Sequence, residues 1–251
     1  MKLNKLMQLL KDNARAEGPA AIRMDATDPS ATEAHIYVAD VIDSFWGASA
    51  KDLITALASA AGKTVHLHIN SPGGDVFEAR AMAAAIVAHS GDIIAHIDGI
   101  CASAATYIAL ACSQVRMTDG GLFMVHNSWT LAAGNKEELR ATADLLDKID
   151  GTIIADYARK TGASMEQVVA WMDATTWFTA QEALDAKFID AIDPNTKQTS
   201  GSDAAARWNL SAYPNAPQPP AAPAEPQPDL AALAAQQLQH NRNRLRLLAQ
   251  I

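Results

Sequence analysis

Long hydrophobic runs are missing from this chain. No stretch of eighteen apolar residues occurs, so no membrane-spanning helix is expected. A basic excess is missing too. The formal net charge is −8, which argues against a body that binds nucleic acid. Aromatic residues make up only 6% of the chain while apolar residues reach 49%, so the core must be built mainly from small and aliphatic side chains. The abundance of alanine favours closely packed helices. Cysteine is nearly absent, with Cys101 and Cys112 alone. Placed on one helix, as the local pattern suggests, they stand about 16 Å apart at ~1.5 Å of rise per residue, too far for a disulfide. Two unpaired thiols without a secretion signal fit a reducing, cytoplasmic setting. Residues Met1 to Asn13 set Lys2, Lys5 and Lys11 among Leu3, Leu6, Leu9 and Leu10. That pattern lacks the apolar centre of a signal peptide and predicts a short amphipathic helix.

Against these absences stand two glycine turns. Thr64 to Asn70 alternates, with Val65, Leu67 and Ile69 on one face, as a strand does. Pro72-Gly73-Gly74 then breaks the strand, and Phe77 to His89 has helical spacing. Consecutive glycines let a backbone approach another molecule and offer it free N–H groups, so this turn is a candidate cradle for an anion or an oxyanion. Asp92 to Ile97 predicts the next strand, ending at Asp98-Gly99, and an apolar helix is expected from Ile100 to about Cys112. Two short strands follow, Gln114 to Thr118 and Leu122 to His126. Upstream, Ala14 to Ala34 reads as irregular, His35 to Val38 as a strand, and Val41 to Trp46 as the approach to a helix capped at Ser49. Alternation of strands and helices implies an α/β fold, a mostly parallel sheet with flanking helices.

Downstream, Asn135-Lys136-Glu137-Glu138 is a capping box opening a long helix to about Lys160, with Gly151 a place where it can bend. Ser164 and Thr179 cap two further helices. Composition shifts after Pro194, and seven of the eleven prolines lie between Pro214 and Pro228. Four segments follow: an N-terminal helix in 1–18, a body in 19–195, a Pro/Ala-rich linker in 196–228 and a basic amphipathic helix in 229–251.

Ser103 is the candidate nucleophile. It sits after a strand at the start of a helix, where N–H groups favour developing negative charge, and Ala102, Ala104 and Ala105 leave its hydroxyl accessible. On the local pattern alone, an N-cap is the simpler explanation of such a serine. His126 ends an apolar strand, where site residues of open α/β sheets lie, and is the candidate base. His66 and His68 share one strand face without a cysteine or acidic cluster beside them, so a structural role is expected there, with no metal and no cofactor.

Together these residues resemble the proteolytic subunit of Clp protease. Asn70-Ser71-Pro72-Gly73-Gly74 is similar to that family's oxyanion turn, Gly99-Ile100-Cys101-Ala102-Ser103-Ala104-Ala105 to its nucleophile segment, and Met124-Val125-His126 to its Met-Ile-His. Trp177-Phe178-Thr179-Ala180 resembles the segment after its catalytic acid, and Phe188-Ile189-Asp190 its Gly-Leu-Ile-Asp. The likeness runs from about Ala34 to Asp193. The Asp75-Val76-Phe77-Glu78-Ala79 continuation looks most like phage and prophage head maturation proteases of Clp type. The resemblance implies a Clp protease/crotonase-like fold of repeated ββα units with a long handle helix. It implies Ser103 as nucleophile, His126 as general base, and the N–H groups of Gly73 and Ala104 as oxyanion hole. It implies rings of subunits paired through the handle, with scaffold and capsid proteins as substrates, and it admits an ATPase partner. One position departs from it: the family's acid falls on Thr175, which carries no charge. Asp173, two residues earlier, is then the candidate acid, or serine and histidine act as a dyad.

Three functions therefore stand at this point. One is a serine endopeptidase of head maturation. Another is a crotonase-type acyl-CoA hydratase or isomerase, which shares the fold and the backbone oxyanion hole but needs no Ser103–His126 pair. The last is a non-catalytic subunit of a Clp-like ring, suggested by Thr175.

Overall fold

The computed structural model describes residues 12–13, 21–25, 31–194 and 208–217. Eight strands form one sheet: β1 Ile22–Met24, β2 Glu33–Val38, β3 Thr64–Ser71, β4 Ile93–Ala102, β5 Gln114–Thr118, β6 Leu122–Val125, β7 Thr176–Thr179 and β8 Ala191–Asp193. Six helices lie wholly within the described residues: α1 Ala50–Ser59, α2 Val76–Val87, α3 Ala105–Leu110, α4 Lys136–Thr161, α5 Met165–Asp173 and α6 Ala180–Asp185. The main path runs β1-β2-β3-β4-β5-β8, with β6 branching from β4 and β7 pairing β6. Only β1–β2 and β6–β7 are antiparallel.

Alternation decides the layers. One face of β2, β3 and β4 buries Ile36, Val38, Leu67, Ile69, Ala95 and Ile97 against the helices, which gives the main core. The caps expected from sequence form as local chemistry requires. Ser49 accepts from Asp52 N at the start of α1, Asn135 and Glu138 make a full capping box at α4, and Thr179 with Glu182 does the same at α6. At about 1.5 Å per residue the 26 residues of α4 extend about 39 Å. It runs continuously through Gly151.

The fold's decisive feature is a fork in β4. The strand pairs β5 along Ile94–Ile97, then β6 along Ile100–Ala102. The expected break at Asp98-Gly99 is therefore absent. Gly99 reads as a turn locally, but the second neighbour keeps the chain extended for four more residues. The expected helix from Ile100 shrinks to α3, and Cys101 lies buried within β4 rather than on a helix. Both cysteines are free. Other differences come from edges. β1 adds to β2 within the region expected to be irregular, and β7 and β8 are strands of three or four residues made by their partners. Residues 44–46 form a turn in which the Asp43 carboxylate accepts from the N–H groups of Phe45 and Trp46, and the chain then enters α1 at its Ser49 cap as expected.

The expected linker is interrupted. Trp208, Leu210, Ala212 and Tyr213 are buried on Ile100, Ala102, Leu122 and Met124. Those four residues alternate along β4 and β6 with core residues Cys101, Phe123 and Val125, so this second cluster covers the opposite face of the fork. Seven prolines downstream disguise a short segment that carries its own aromatic anchors. Asp12 and Asn13 are helical and hold this segment: Asn209 N donates to Asn13 Oδ1 at 2.7 Å, and Asn209 Nδ2 to Asp12 Oδ2 at 2.7 Å. The remainder of the expected N-terminal helix, and the basic helix expected in 229–251, lie outside the described residues. No helix among the described residues is long and apolar enough to cross a membrane.

Candidate active site

The fork brings two strand ends together. Ser103 follows the last residue of β4, and His126 follows the last residue of β6. Ser103 N donates to Met124 O at 2.9 Å, which ties the two ends. Ser103 has φ 54°, a left-handed conformation that costs a residue with a side chain about 1–3 kcal/mol. That turn aims its hydroxyl at His126, with Oγ 2.7 Å from Nε2.

The first glycine turn lies beside them. Gly73 has φ 92°, and a Cβ there would come within 2.5 Å of Ala102 O and 3.0 Å of Ala104 N. So Gly73 is glycine because the backbone at the start of α3 occupies the space a side chain needs. Ile42 clamps the turn, its N–H donating to Gly73 O and its carbonyl accepting from Asp75 N, both at 2.8 Å. Gly73 N donates to Ser71 Oγ at 3.2 Å, a long bond that an incoming oxyanion has to displace. The Ala104 amide thus lies close beside Gly73.

Asp173 falls elsewhere. Its carboxylate accepts from Asn127 Nδ2 at 2.8 Å, so it holds the neighbour of His126 rather than the imidazole. Thr175 lies just before β7, whose first residue, Thr176, pairs with Val125, the residue before His126. Thr175 is buried at φ 50°, unusual for a β-branched residue. Among the described residues, His126 has its hydrogen bond to Ser103 and none to a carboxylate. Burial alone pushes its pKa down to about 4.

Two functional contacts were not read from sequence. Ser128 N donates to Asp150 Oδ1 at 2.7 Å, which fixes the segment after His126 to α4. Tyr213 packs edge-on to the His126 ring, centroids 5.2 Å apart. Two of the chain's few aromatics, Trp208 and Tyr213, inside a supposed linker were the available signal.

A cleft of about 280 Å³ opens on Ser103 and His126 and is lined by Gly74, Phe77, Leu145, Leu146 and Ile149 among others. Its walls are mostly apolar, with the reacting pair at one end. The histidines of the sheet lie elsewhere. His35, His66, His68 and His96 stack across β2, β3 and β4 and hydrogen-bond in pairs, His35 to His68 at 3.2 Å and His66 to His96 at 2.9 Å. No group of three or more metal-ligating side chains among the described residues is arranged to hold an ion.

The depressed His126 makes stability depend on pH. An unfolded histidine takes its proton near 6.5 and the folded one near 4, so the unfolded chain binds more protons between these values. The contribution is complete above pH 6.5 and is lost as pH falls through 4, to a total of about 3 kcal/mol. Urea unfolding between pH 7 and 4 is expected to show that loss in excess of the loss in His126→Gln; equal losses contradict it.

Comparison with known proteins follows the same outline. The chain matches the family described as Clp protease over residues 22–196. It is 27% identical over 154 residues to ATP-dependent Clp protease proteolytic subunit 1 of Leifsonia xyli, covering 61% of this chain and 78% of that protein. It is 28% identical over 159 residues to the proteolytic subunit of Streptococcus pneumoniae, covering 62% and 81%. Among solved structures, a ClpP1 mutant from Listeria monocytogenes superposes with a TM-score of 0.57 at 23% identity, over 64% of this chain and 92% of that one. That likeness concerns the fold.

Proposed function

The chain belongs to the Clp protease family, and from that premise we propose that it is a serine endopeptidase acting through an acyl-enzyme. The observation that carries this reading is the 2.7 Å contact between Ser103 Oγ and His126 Nε2 beside the Gly73 and Ala104 amides. Ser103 Oγ attacks the peptide carbonyl while His126 Nε2 takes its proton. The carbonyl oxygen turns towards the two amides, each worth about 2.7–4 kcal/mol to the transition state. His126 then returns the proton to the leaving amine, and water repeats the sequence on the ester. An extended substrate adds along the glycine turn with main-chain hydrogen bonds, and the apolar cleft takes a hydrophobic side chain next to the scissile bond.

The substrates we propose are scaffold and capsid proteins during phage head maturation. The likeness of residues 75–79 to those proteases supports this, and so does the chemistry. A base depressed to about 4 and lacking an acid partner works slowly, which suits a task of few cleavages per subunit. The protein acts as a ring of like subunits. Leu139 and Leu145 on α4 are 44% and 52% exposed, an apolar surface suited to a second copy. The crotonase reading is not favoured, because it leaves the Ser103–His126 contact without a purpose.

A fluorophosphonate is expected to form one adduct, on the peptide containing Ser103. In co-expression with neighbouring capsid genes, mass spectrometry is expected to find cleaved capsid or scaffold protein. Absence of the adduct points to the crotonase or non-catalytic reading. An adduct without capsid cleavage removes the phage assignment only. Light scattering is expected to give a multiple of 26.6 kDa, and a monomer removes the ring.

A further inference from the structure

We propose that the segment Trp208–Ala216 is a strap that positions His126 from behind, with Tyr213 as the positioning residue, in place of a third triad member. This rests on the peptidase reading above and assigns a role to residues beyond the family match, which ends at 196.

The strap bridges the two parts of the site that must stay in register. On the oxyanion side, Trp208 Nε1 donates to Asn70 Oδ1 at 3.1 Å, and Tyr213 OH donates to Pro72 O at 2.6 Å. Pro72 immediately precedes Gly73. On the side where an acid was expected, Trp177 Nε1 donates to Pro214 O at 3.2 Å and Asn215 Nδ2 to Ala174 O at 3.0 Å. Ala174 immediately precedes Thr175. Between these anchors the Tyr213 ring stands edge-on to His126 at an interplanar angle of 80°. A ring packed perpendicular to the imidazole restricts its rotation and favours the orientation that meets Ser103 Oγ.

The strap backs the site and does not plug it. Ser103, His126, Ala104 and Gly74 line the substrate cleft, and no strap residue does. Tyr213 is buried, and burial raises its phenol pKa, with a hydrogen bond to Ser103 opposing that rise. It is therefore a neutral donor at working pH. It orients and dries the histidine but supplies no charge. The other titratable groups that line the cleft are Asp43, Asp75, Tyr107 and Tyr157, and none of them offsets the depression that burial causes at His126.

The test is the rate of fluorophosphonate labelling of the full chain across pH 3.5–8. Tyr213→Ala admits water to His126. Its acid limb is expected to move up by at least about one pH unit from the wild-type midpoint, with a plateau about tenfold slower. Tyr213→Phe keeps the ring and is expected to restore the wild-type midpoint. Asn215→Ala loosens the strap at an exposed bond without touching the core and is expected to shift the limb in the same direction by less. An unmoved midpoint in both Tyr213→Ala and Asn215→Ala overturns the inference. Labelling that persists in Ser103→Ala overturns instead the peptidase reading beneath it, so the two failures are distinct.

Discussion

Replacing Ser103 by alanine is expected to lower peptide hydrolysis by about 10²-fold while leaving the melting temperature nearly unchanged. The size follows from what the site has and lacks. A complete serine triad contributes about 10⁶ in turnover, and its acid accounts for about 10⁴ of that. His126 has no carboxylate partner among the described residues, so the serine and histidine retain roughly the remaining 10². Oxyanion donors and substrate binding survive the substitution and supply the residual rate. The fold is indifferent to the change because Ser103 lends it backbone geometry and only its hydroxyl is removed. Its φ of 54° is imposed by the tie from its N–H to Met124 O, which alanine retains. Wild-type and Ser103→Ala rates on an apolar fluorogenic peptide, with melting curves of both, decide the matter. Equal rates remove Ser103 from the mechanism.

What the sequence disclosed and what it hid divide along the range of the forces involved. The turn at Pro72-Gly73-Gly74 was legible because its causes are local: strand alternation before it, paired glycines within it and helical spacing after it. The helix starts at Ser49, Asn135, Ser164 and Thr179 were legible because a cap is a bond between residues three apart. Ser103 and His126 stood out by type, by position at strand ends and by order. The continuation of β4 through Gly99 was not legible. A glycine after an aspartate looks like a turn until a second strand pairs beyond it, and that strand begins at Leu122. β1, β7 and β8 are too short to alternate, so only their partners define them. The strap was hidden most completely. Tyr213 meets Pro72 across 141 positions, and its aromatic anchors sit at the edge of a proline-rich stretch whose composition suggests no packing at all. Asp173 shows the limit of proximity along the chain. It lies two residues from Thr175, yet the end of α5 turns its carboxylate to Asn127.

Restoring an acid at that point should have the opposite effect to removing the serine. Thr175→Asp is expected to raise turnover by about 10²-fold or more, out of the roughly 10⁴ that an orienting carboxylate is worth in a complete triad. Residue 175 is buried and immediately precedes Thr176, the β7 partner of Val125, which itself precedes His126, so the substitution tests whether a carboxylate there meets the imidazole that now lacks one. Two further terms favour the change. Thr175 holds φ 50°, where a β-branched side chain is strained and aspartate is better tolerated, so the substitution relieves backbone strain. A negative charge beside His126 also favours imidazolium, which lifts the pKa from about 4 and makes a stronger base near neutrality. The acid limb of kcat/KM should therefore move upward as the plateau rises, whereas Thr175→Asn, which fits the same backbone without charge, should move neither by much. Burial opposes the gain, since Thr175 is buried and a carboxylate there must be satisfied by a partner. A variant that folds, keeps the wild-type acid limb and gains no rate would show that position 175 does not present its side chain to the histidine, and the slow dyad would then owe its geometry to Tyr213 alone.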